Sequence, residues 1–292
     1  MKKIVLALMG VSFSLLASEV SNKFEIGPVE NNESKEYMMD WSSGKFELKP
    51  HRVNYVMPLS YVDARFKKED PNTDQYKSME SELQVSLKLN VGSDLLGLNE
   101  KYFLAYTHRA LFQVYAHSSP FRETNYNPEG FVVFPVSGNG ANLKSVTLAL
   151  AHMSNGRPEN SSYKYISEDP NSLSRSVNYA YVDFAFQHDS LITNLKFWTA
   201  LPEKREDNNN PDMMDYYGNA SLKFTYFSGK HMYTLMGRTS FTYGNGALEA
   251  TYSYPIYKGV FAYAKLFSGY GDRLIDYDNY INRFSLGFAF SR

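Results

Sequence analysis

Apolar and polar residues alternate one by one along most of the chain from about residue 52 to the end. Successive side chains of an extended strand point to opposite faces, so this period of two predicts strands with one apolar and one polar face. About twelve such segments occur, an even number, as in single-chain transmembrane barrels. Their approximate spans are 52–66, 77–91, 101–115, 128–136, 143–155, 175–188, 191–202, 213–228, 231–243, 246–255, 258–270 and 280–291.

The connectors between these segments differ in length in a regular way. Short connectors fall at 137–142, 188–190, 229–230 and 256–257. Longer polar connectors fall at 116–127, 156–174, 203–212 and 270–279, and the short link near Asn245 is an exception. Outer-membrane barrels join strands by short periplasmic turns and longer outer loops. The connector lengths therefore predict which end of the barrel faces outward.

The first residues form a different kind of segment. A basic start, MKK, precedes an apolar run at 4–16 and two small residues, which is the pattern of a secretory signal peptide. The apolar run is shorter than the roughly 20 residues that a membrane-spanning helix needs. We therefore predict a signal peptide at 1–18, a periplasmic N-terminal extension at 19–51 and a barrel at 52–292.

Composition favours a membrane barrel and limits the classes of partner. The chain has 24 Tyr and 20 Phe although its mean hydropathy is negative, which suits strands whose every second residue faces lipid. Past the first segment, no run of about 18 apolar residues indicates a membrane-spanning helix. The formal net charge is −1 and cysteine is absent, so we expect no nucleic-acid partner and no disulfide. The predicted fold is all-β, a transmembrane antiparallel β-barrel of about 12 strands.

One predicted strand carries polar residues on the face that should contact lipid. In the fifth segment, Val146, Leu148 and Leu150 share the apolar face. The same parity continues to His152 and Ser154, near the outer end of the strand. A polar side chain on the lipid face is costly unless it is paired, which makes this pair a candidate functional site.

The next predicted strand supplies a third polar group. Val182 and Phe184 lie on its apolar face, and the same parity places Asn178 there. Antiparallel strands joined by one outer loop would bring Asn178 beside His152. In a serine hydrolase, the imidazole takes the hydroxyl proton of the serine and a third group fixes the imidazole tautomer. A neutral amide suits this third position because a carboxylate against hydrocarbon is more costly.

Several strings in and around this group resemble one known family, in the same order along the chain. They are HMSNGR at 152–157, SSPFRETNY at 118–126, SRSVN at 174–178, NPD at 210–212, SGYG at 268–271 and LIDY at 274–277. The first string resembles the His-x-Ser-Asn-Gly core of the outer-membrane phospholipase A family. The resemblance covers roughly residues 100 to 290. Met153 departs from the family, in which aspartate is common there, but its side chain should point into the barrel.

The resemblance implies a calcium-dependent phospholipase with A1, A2 and lysophospholipase activity. Its substrate would be membrane phospholipid, its location the outer membrane of a Gram-negative bacterium, and its activation would require a homodimer. By the same resemblance Ser154 would be the nucleophile, His152 the base and Asn178 the orienting residue. The backbone amide of Gly156 would donate to the oxyanion.

The family's calcium ligands can be carried over in the same way. Arg157, through its carbonyl, and Ser174 would hold Ca²⁺, with Ser118 contributed by the second copy in the dimer. The family's further calcium-site aspartate falls on Asn209, with Asp207 close by. Oxygen ligands of this kind suit a hard cation, whose charge and bound water would stabilise the oxyanion.

The third predicted strand, 101–115, is the expected dimer interface. Leu104 and Tyr106 are among its outward residues, and His108 sits on the same face, where the family has glutamine. A lipid-facing histidine is unpaired in a monomer but could bond to its partner across a two-fold axis. We hypothesise that His108 tunes dimer strength with pH.

Two other classes of protein also agree with parts of the pattern. A passive channel or structural barrel would keep the fold but show no esterase activity and no calcium response. A soluble exported β-sandwich would be released without detergent, and it does not explain the many aromatic faces. Charges on the predicted inner face, such as Arg238, Glu249 and Lys265, should form a structural network inside a small barrel.

Overall fold

The structure of the protein is a computed structural model. It describes residues 31–42, 47–63, 76–136, 142–157, 173–203 and 210–292. The helices are α1 (Asn32–Ser42) and α2 (Met213–Tyr217). The strands are β1 (Leu48–Pro50), β2 (Tyr55–Asp63), β3 (Met79–Ser93), β4 (Lys101–Phe112), β5 (Phe121–Pro135), β6 (Leu143–Ser154), β7 (Ser176–His188), β8 (Leu191–Ala200), β9 (Ala220–Ser228), β10 (His231–Thr239), β11 (Gly246–Tyr257), β12 (Val260–Gly269) and β13 (Ile281–Ala289).

Strands β2 to β13 form one closed antiparallel barrel. Each of these twelve strands pairs with its neighbours in sequence, and β13 pairs with β2 to close the sheet. The short strand β1 also pairs with β3. Its partners lie in the part of β3 beyond the residues that pair with β2. The closed sheet confirms the predicted all-β class and the strand number, and it makes the alternative of a β-sandwich wrong.

The burial pattern of the strands is the reverse of that in a water-soluble protein. In β13, Phe284 and Leu286 are exposed, whereas Arg283 and Ser285 between them are buried. The same inversion leaves Leu150 on β6 63% exposed. Apolar side chains outside and polar side chains inside are what a strand between lipid and lumen requires. No helix in the described part of the chain is long and apolar enough to cross a membrane.

Two predicted segments differ from the observed elements. The strand expected at 128–136 begins seven residues earlier, because β5 starts at Phe121. The sequence did not reveal this part of the strand, because Arg122 and Glu123 resemble residues of a polar loop. Both are charged residues that are buried in the lumen. The strand expected at 213–228 starts at Ala220, and Met213–Tyr217 form the short helix α2 instead.

The N-terminal part of the described chain covers the short-turn end of the barrel. Asn31 caps α1 through its side chain, which accepts from the backbone N–H of Glu33 at 3.0 Å. Met38 of α1 is buried against Ile192, Phe227 and Met232, which lie next to the short turns. The predicted signal peptide at 1–18 lies outside the described residues, and the division at residue 52 stays a prediction.

Charged side chains fill the lumen near the outer end. Arg283 donates to Glu80 and to Asp272, both at 2.7 Å, and Arg122 donates to Glu80 at 2.6 Å. Lys265 and Arg109 both pair with Glu82. Burying a charge is tolerated only when it is paired, so these contacts determine where each strand side chain points.

The last outer connector folds over this network. Its residues Leu274, Ile275 and Tyr277 are buried. The backbone N–H groups of Leu274 and Ile275 donate to the carboxylate of Glu123, at 2.7 Å and 3.3 Å. The last outer connector is therefore attached to the outer end of β5 through Glu123.

Candidate active site

The register between β6 and β7 brings two of the predicted site residues directly together. His152 lies opposite Asn178, and Ser154 lies opposite Ser176. His152 Nδ1 is 2.9 Å from Asn178 Oδ1. Both side chains continue the outward face on which Leu150 is exposed, so this hydrogen bond lies on the lipid-facing wall.

Ser154 ends β6 on the same face as His152. Two residues of one strand that share a face lie about 7 Å apart along the backbone, within reach of a serine hydroxyl and an imidazole. Across the sheet, Ser154 pairs with Tyr126 of β5, and Tyr126 pairs with His108 of β4. The outward row therefore runs from Ser176 through Ser154 and Tyr126 to His108.

The hydrogen bond to Asn178 selects the tautomer of His152. An amide oxygen can only accept, so His152 Nδ1 must carry the proton in this bond. In the neutral imidazole, Nε2 is then the basic nitrogen. This is the tautomer that a general base needs in order to take the proton of a serine hydroxyl.

Asn155, which immediately follows Ser154, ties the two ends of the β6–β7 connector together. It is buried, and its Nδ2 donates to the carbonyl of Leu173 at 2.7 Å. Its Oδ1 accepts from the backbone N–H of Arg175 at 3.0 Å and of Arg157 at 3.3 Å. Sequence reasoning gave Asn155 no role. Its position inside the HMSNGR string was the only available signal.

Gly156 occupies a backbone position that favours glycine. Its φ is +61°, and a Cβ there would lie 2.6 Å from Cε2 of Tyr126. The absent side chain lets the chain turn closely against the Tyr126 ring, directly after Asn155. The backbone of Gly156 is thereby held next to the Ser154–Tyr126 pair.

A second supporting contact lies on β5. Pro128 has no N–H and interrupts the ladder between β5 and β6, whose described pairs skip from Ser154 to Ala151. Asn127 compensates, because its Nδ2 donates to the carbonyl of His152 at 2.6 Å. Sequence reasoning missed Asn127, although a proline within a strand is a signal for such a substitute donor.

The predicted calcium ligands occupy three different places. Arg157 and Ser174 lie at the two ends of the β6–β7 connector, which Asn155 holds together, and Ser174 is buried. Ser118 lies in the β4–β5 connector, where its hydroxyl is 3.0 Å from Nδ1 of His117. Asn209 lies outside the described residues.

The donors that this region offers are hard oxygen atoms. In the part of the chain that the structure describes, no group of three or more His, Cys, Asp or Glu residues could hold a metal ion. The backbone carbonyl of Arg157 and the hydroxyl of Ser174 are nevertheless atoms that suit Ca²⁺, which takes carbonyl, hydroxyl and water oxygens. The donor chemistry therefore fits calcium and does not suit a softer metal.

The fold and this site together define a class of protein. The closed barrel with apolar outer faces is that of an outer-membrane protein of a Gram-negative bacterium. Its outer wall carries a serine, a histidine and an asparagine amide that is hydrogen-bonded to the histidine.

The chain belongs to the phospholipase A1 family, since the sequence model described as Phospholipase A1 matches residues 32–290. It is 30% identical to Phospholipase A1 of Salmonella typhimurium, over 86% of this chain and 83% of that protein. It is also 30% identical to a putative phospholipase A1 of Neisseria meningitidis, over 85% of this chain and 66% of that protein.

Solved structures agree with this assignment. Outer membrane phospholipase A from Escherichia coli is similar with a TM-score of 0.73 and 30% identity, covering 84% of this chain and 98% of that one. A Salmonella typhi outer membrane phospholipase dimer with bound calcium is similar with a TM-score of 0.74 and 29% identity, covering 86% and 96%. The predicted family is therefore confirmed.

Proposed function

We propose that this protein is a calcium-dependent outer-membrane phospholipase that hydrolyses acyl ester bonds of phospholipids. Its activities would be of the A1 and A2 types together with lysophospholipase activity. The observation that carries the proposal is the 2.9 Å bond from His152 Nδ1 to Asn178 Oδ1, beside Ser154 on the lipid-facing wall. A passive barrel would gain nothing from polar side chains on its lipid-facing surface, where such groups are costly.

The chemistry follows from the positions of the three side chains. Ser154 Oγ attacks the ester carbonyl while His152 Nε2 takes the hydroxyl proton. Asn178 holds the imidazole through Nδ1 as positive charge develops on the ring. The backbone N–H of Gly156 donates to the oxyanion of the tetrahedral intermediate. His152 then gives its proton to the leaving alcohol, and water releases the fatty acid from the acyl-serine by the same steps.

The position of the site along the barrel suits a phospholipid. Ser154 is the last residue of β6, at the end of the barrel that carries the longer connectors. Below it, Leu150 and the other apolar side chains of the outer face can lie along an acyl chain. An ester bond lies between the headgroup and the acyl chains, which is the depth at which a strand leaves the hydrocarbon.

Calcium would be held by the oxygen atoms identified above. We assign the carbonyl of Arg157 and the hydroxyl of Ser174 to one copy of the chain, and the hydroxyl of Ser118 to a second copy. When bound, the ion supplies positive charge that stabilises the developing oxyanion. The guanidinium of Arg157 donates to the carbonyl of Arg122 at 2.8 Å, so this side chain is anchored while its carbonyl serves as ligand.

Dimerisation would bury the outward row that connects Ser154 to His108. His108 packs against the ring of Tyr126 at 5.1 Å between centroids, and Leu104 on the same face of β4 is 58% exposed. A second copy placed on this face would bring its Ser118 toward the first copy's site. It would also pair His108 with its symmetry mate, as we hypothesised from the sequence.

The first test is fatty-acid release from phosphatidylcholine in mixed micelles. We expect release by the wild-type protein with calcium, little release with a chelator, and none from Ser154→Ala. The folded state of the variant is checked by its resistance to unfolding in detergent. A folded, dimeric wild-type protein that releases no fatty acid would instead indicate a structural barrel or channel.

The dimer hypothesis has its own test. Chemical cross-linking of wild type and His108→Ala is compared from about pH 5 to about pH 8, the range in which histidine titrates. We expect the dimer fraction of the wild type to change with pH and that of the variant to stay constant. Coinciding curves would remove His108 from the proposed control of dimer strength.

A further inference from the structure

The connector after β8 continues the sheet by one more contact beside the site. Tyr179 pairs with Ala200, the last residue of β8, and the N–H of Leu201 then donates to the carbonyl of Asn178 at 2.7 Å. Two residues further on, Glu203 is half-buried next to β7. The backbone of the sheet therefore determines that Glu203 lies near Asn178.

The carboxylate of Glu203 binds Asn178 at two atoms. Asn178 Nδ2 donates to Glu203 Oε1 at 2.8 Å, and the backbone N–H of Asn178 donates to the same oxygen at 3.2 Å. Hydrogen bonds to an ionised acceptor are stronger than neutral ones. Hydrogen bonds thus connect His152, Asn178 and Glu203 in that order, and Ser154 lies two residues from His152 on the same face of β6.

An amide in the orienting position has a weakness that a carboxylate lacks. Its oxygen and nitrogen are close in size, so rotation by half a turn would present Nδ2 to His152 instead of Oδ1. Nδ2 is a donor and would require His152 Nδ1 to accept, which moves the proton to Nε2. The imidazole would then have the wrong tautomer to take the proton from Ser154.

Glu203 removes this ambiguity. An ionised carboxylate only accepts hydrogen bonds, so the atom of Asn178 that faces Glu203 has to be the nitrogen. The oxygen of Asn178 must then face His152. The contact also places a negative charge behind the amide, which polarises the Asn178 oxygen toward the imidazole.

We propose that Glu203 is a positioning residue of this site, which fixes the orientation of the Asn178 amide and through it the tautomer of His152. This inference rests on the proposed function. With this role for Glu203, the site has a neutral amide, Asn178, on the lipid face and a full negative charge, Glu203, behind it. The carboxylate lies in a connector beyond the strand end, where it avoids the cost of contact with hydrocarbon.

The test compares Glu203→Gln and Glu203→Ala with Asp215→Asn, a control carboxylate in the same β8–β9 connector. Gln can still accept from Asn178 but has no charge and does not enforce one amide orientation, whereas Ala removes the contact. We expect kcat for phosphatidylcholine at saturating calcium to fall about 10- to 100-fold in Glu203→Ala and less in Glu203→Gln. KM should stay constant, and Asp215→Asn should match the wild type.

A second readout does not depend on activity. In proton NMR of the micelle-bound protein, the Nδ1–H of His152 should give a protected downfield signal, identified by its loss in His152→Ala. We expect Glu203→Ala and Asn178→Ala to lose this signal and Asp215→Asn to keep it. Glu203→Ala with both the signal and the kcat of wild type would overturn the proposal, as would a loss confined to KM.

The two readouts separate failure of this inference from failure of the proposed function. A wild-type protein without lipase activity would refute the function, while the signal would still report whether Glu203 orients Asn178. An active wild type, an inactive Ser154→Ala and an unchanged Glu203→Ala would refute only the role of Glu203.

Discussion

The inner and outer faces of the barrel wall both carry polar groups away from bulk water, but they hold them differently. In the lumen, Arg283 is fully buried and pairs with both Glu80 and Asp272. On the outer face, His152 and Asn178 are not buried and are joined by a single hydrogen bond. The lumen network thus satisfies full charges by mutual pairing, whereas the outer site keeps its carboxylate, Glu203, in a connector and presents hydrogen-bonded His152 and Asn178 on the wall.

This difference indicates which residues serve stability and which serve chemistry. A paired interior charge has no capacity left for a ligand, and removing one partner leaves the other uncompensated. A neutral group at the lipid surface costs less to retain and can meet a substrate. We therefore expect variants of the lumen to lose stability and variants of the outer site to lose activity.

The largest effect should come from His152→Ala. In the proposed mechanism the imidazole takes the proton of Ser154, so we expect the rate of fatty-acid release to fall by about 10³-fold or more without it. Stability toward guanidinium should be close to that of the wild type. His188→Ala, at the opposite end of β7, is the control. A marked loss of stability in His152→Ala would break the proposed division between the two faces.

Arg283→Met should have the reverse effect. It leaves Glu80 and Asp272 each with one cation fewer inside the barrel, and breaking a buried pair costs about 3–5 kcal/mol. Guanidinium unfolding of the micelle-bound barrel measures this loss. The exposed Lys230→Met in the β9–β10 turn should be neutral. An Arg283→Met protein of unchanged stability would mean that the lumen is wet enough to solvate its charges.

Asp272→Asn should show a smaller effect with a defined pH dependence. Burial alone would raise the pKa of the Asp272 carboxyl, but Arg109 and Arg283 outweigh it and hold this pKa well below its usual value. Because the folded pKa is depressed, the stabilisation is complete above the unfolded pKa of about 3.9 and is lost as pH falls through the folded value.

We therefore expect Asp272→Asn to be less stable than wild type by about 2–3 kcal/mol at neutral pH. The difference should persist down to about pH 4 and shrink only below it. Unfolding curves at several pH values measure it. A difference that already vanishes on going from about pH 7 to about pH 5 would contradict the assignment to this carboxyl.

The smallest effect should come from Asn155→Ala. Asn155 links the two faces, because it is buried and directly follows Ser154 of the outer site. The change leaves the N–H of Arg175 and the carbonyl of Leu173 without their side-chain partner, at a cost of about 1–2 kcal/mol. Because Asn155 adjoins Ser154, activity should also fall, by roughly tenfold. Asn245→Ala in the β10–β11 connector is the control. Loss of stability without any loss of activity would show that the connector can relax independently of the site.

Much of the fold and part of the site could be predicted from local pattern. The parity of β6 and β7 is local, so His152 and Asn178 could be placed on one face and paired across one connector. The start of β5 could not be predicted, because Arg122 and Glu123 look polar until their lumen partners are known. Asn127 was missed as well, although Pro128 within the strand signalled that a substitute donor for its missing N–H was needed.

Glu203 shows the limit of sequence reasoning most directly. Its connector reads as a solvated polar loop, and 25 residues separate Glu203 from Asn178. Only the β7–β8 register and the extra backbone bond of Leu201 place its carboxylate against the amide. Only the tertiary structure therefore reveals that Glu203 contacts Asn178.

The sequence by itself determined the barrel, the orientation of its faces and the pairing of His152 with Asn178. The barrel and its faces follow from the period of two, which is a property of the extended backbone and needs no information about distant residues. The pairing of His152 with Asn178 needed one further assumption, that the two strands are antiparallel neighbours joined by one outer loop. The tertiary structure decided which charges meet in the lumen and which groups support Ser154, His152 and Asn178. Those contacts depend on closure of the sheet and on the relative positions of the connectors, which local alternation does not encode.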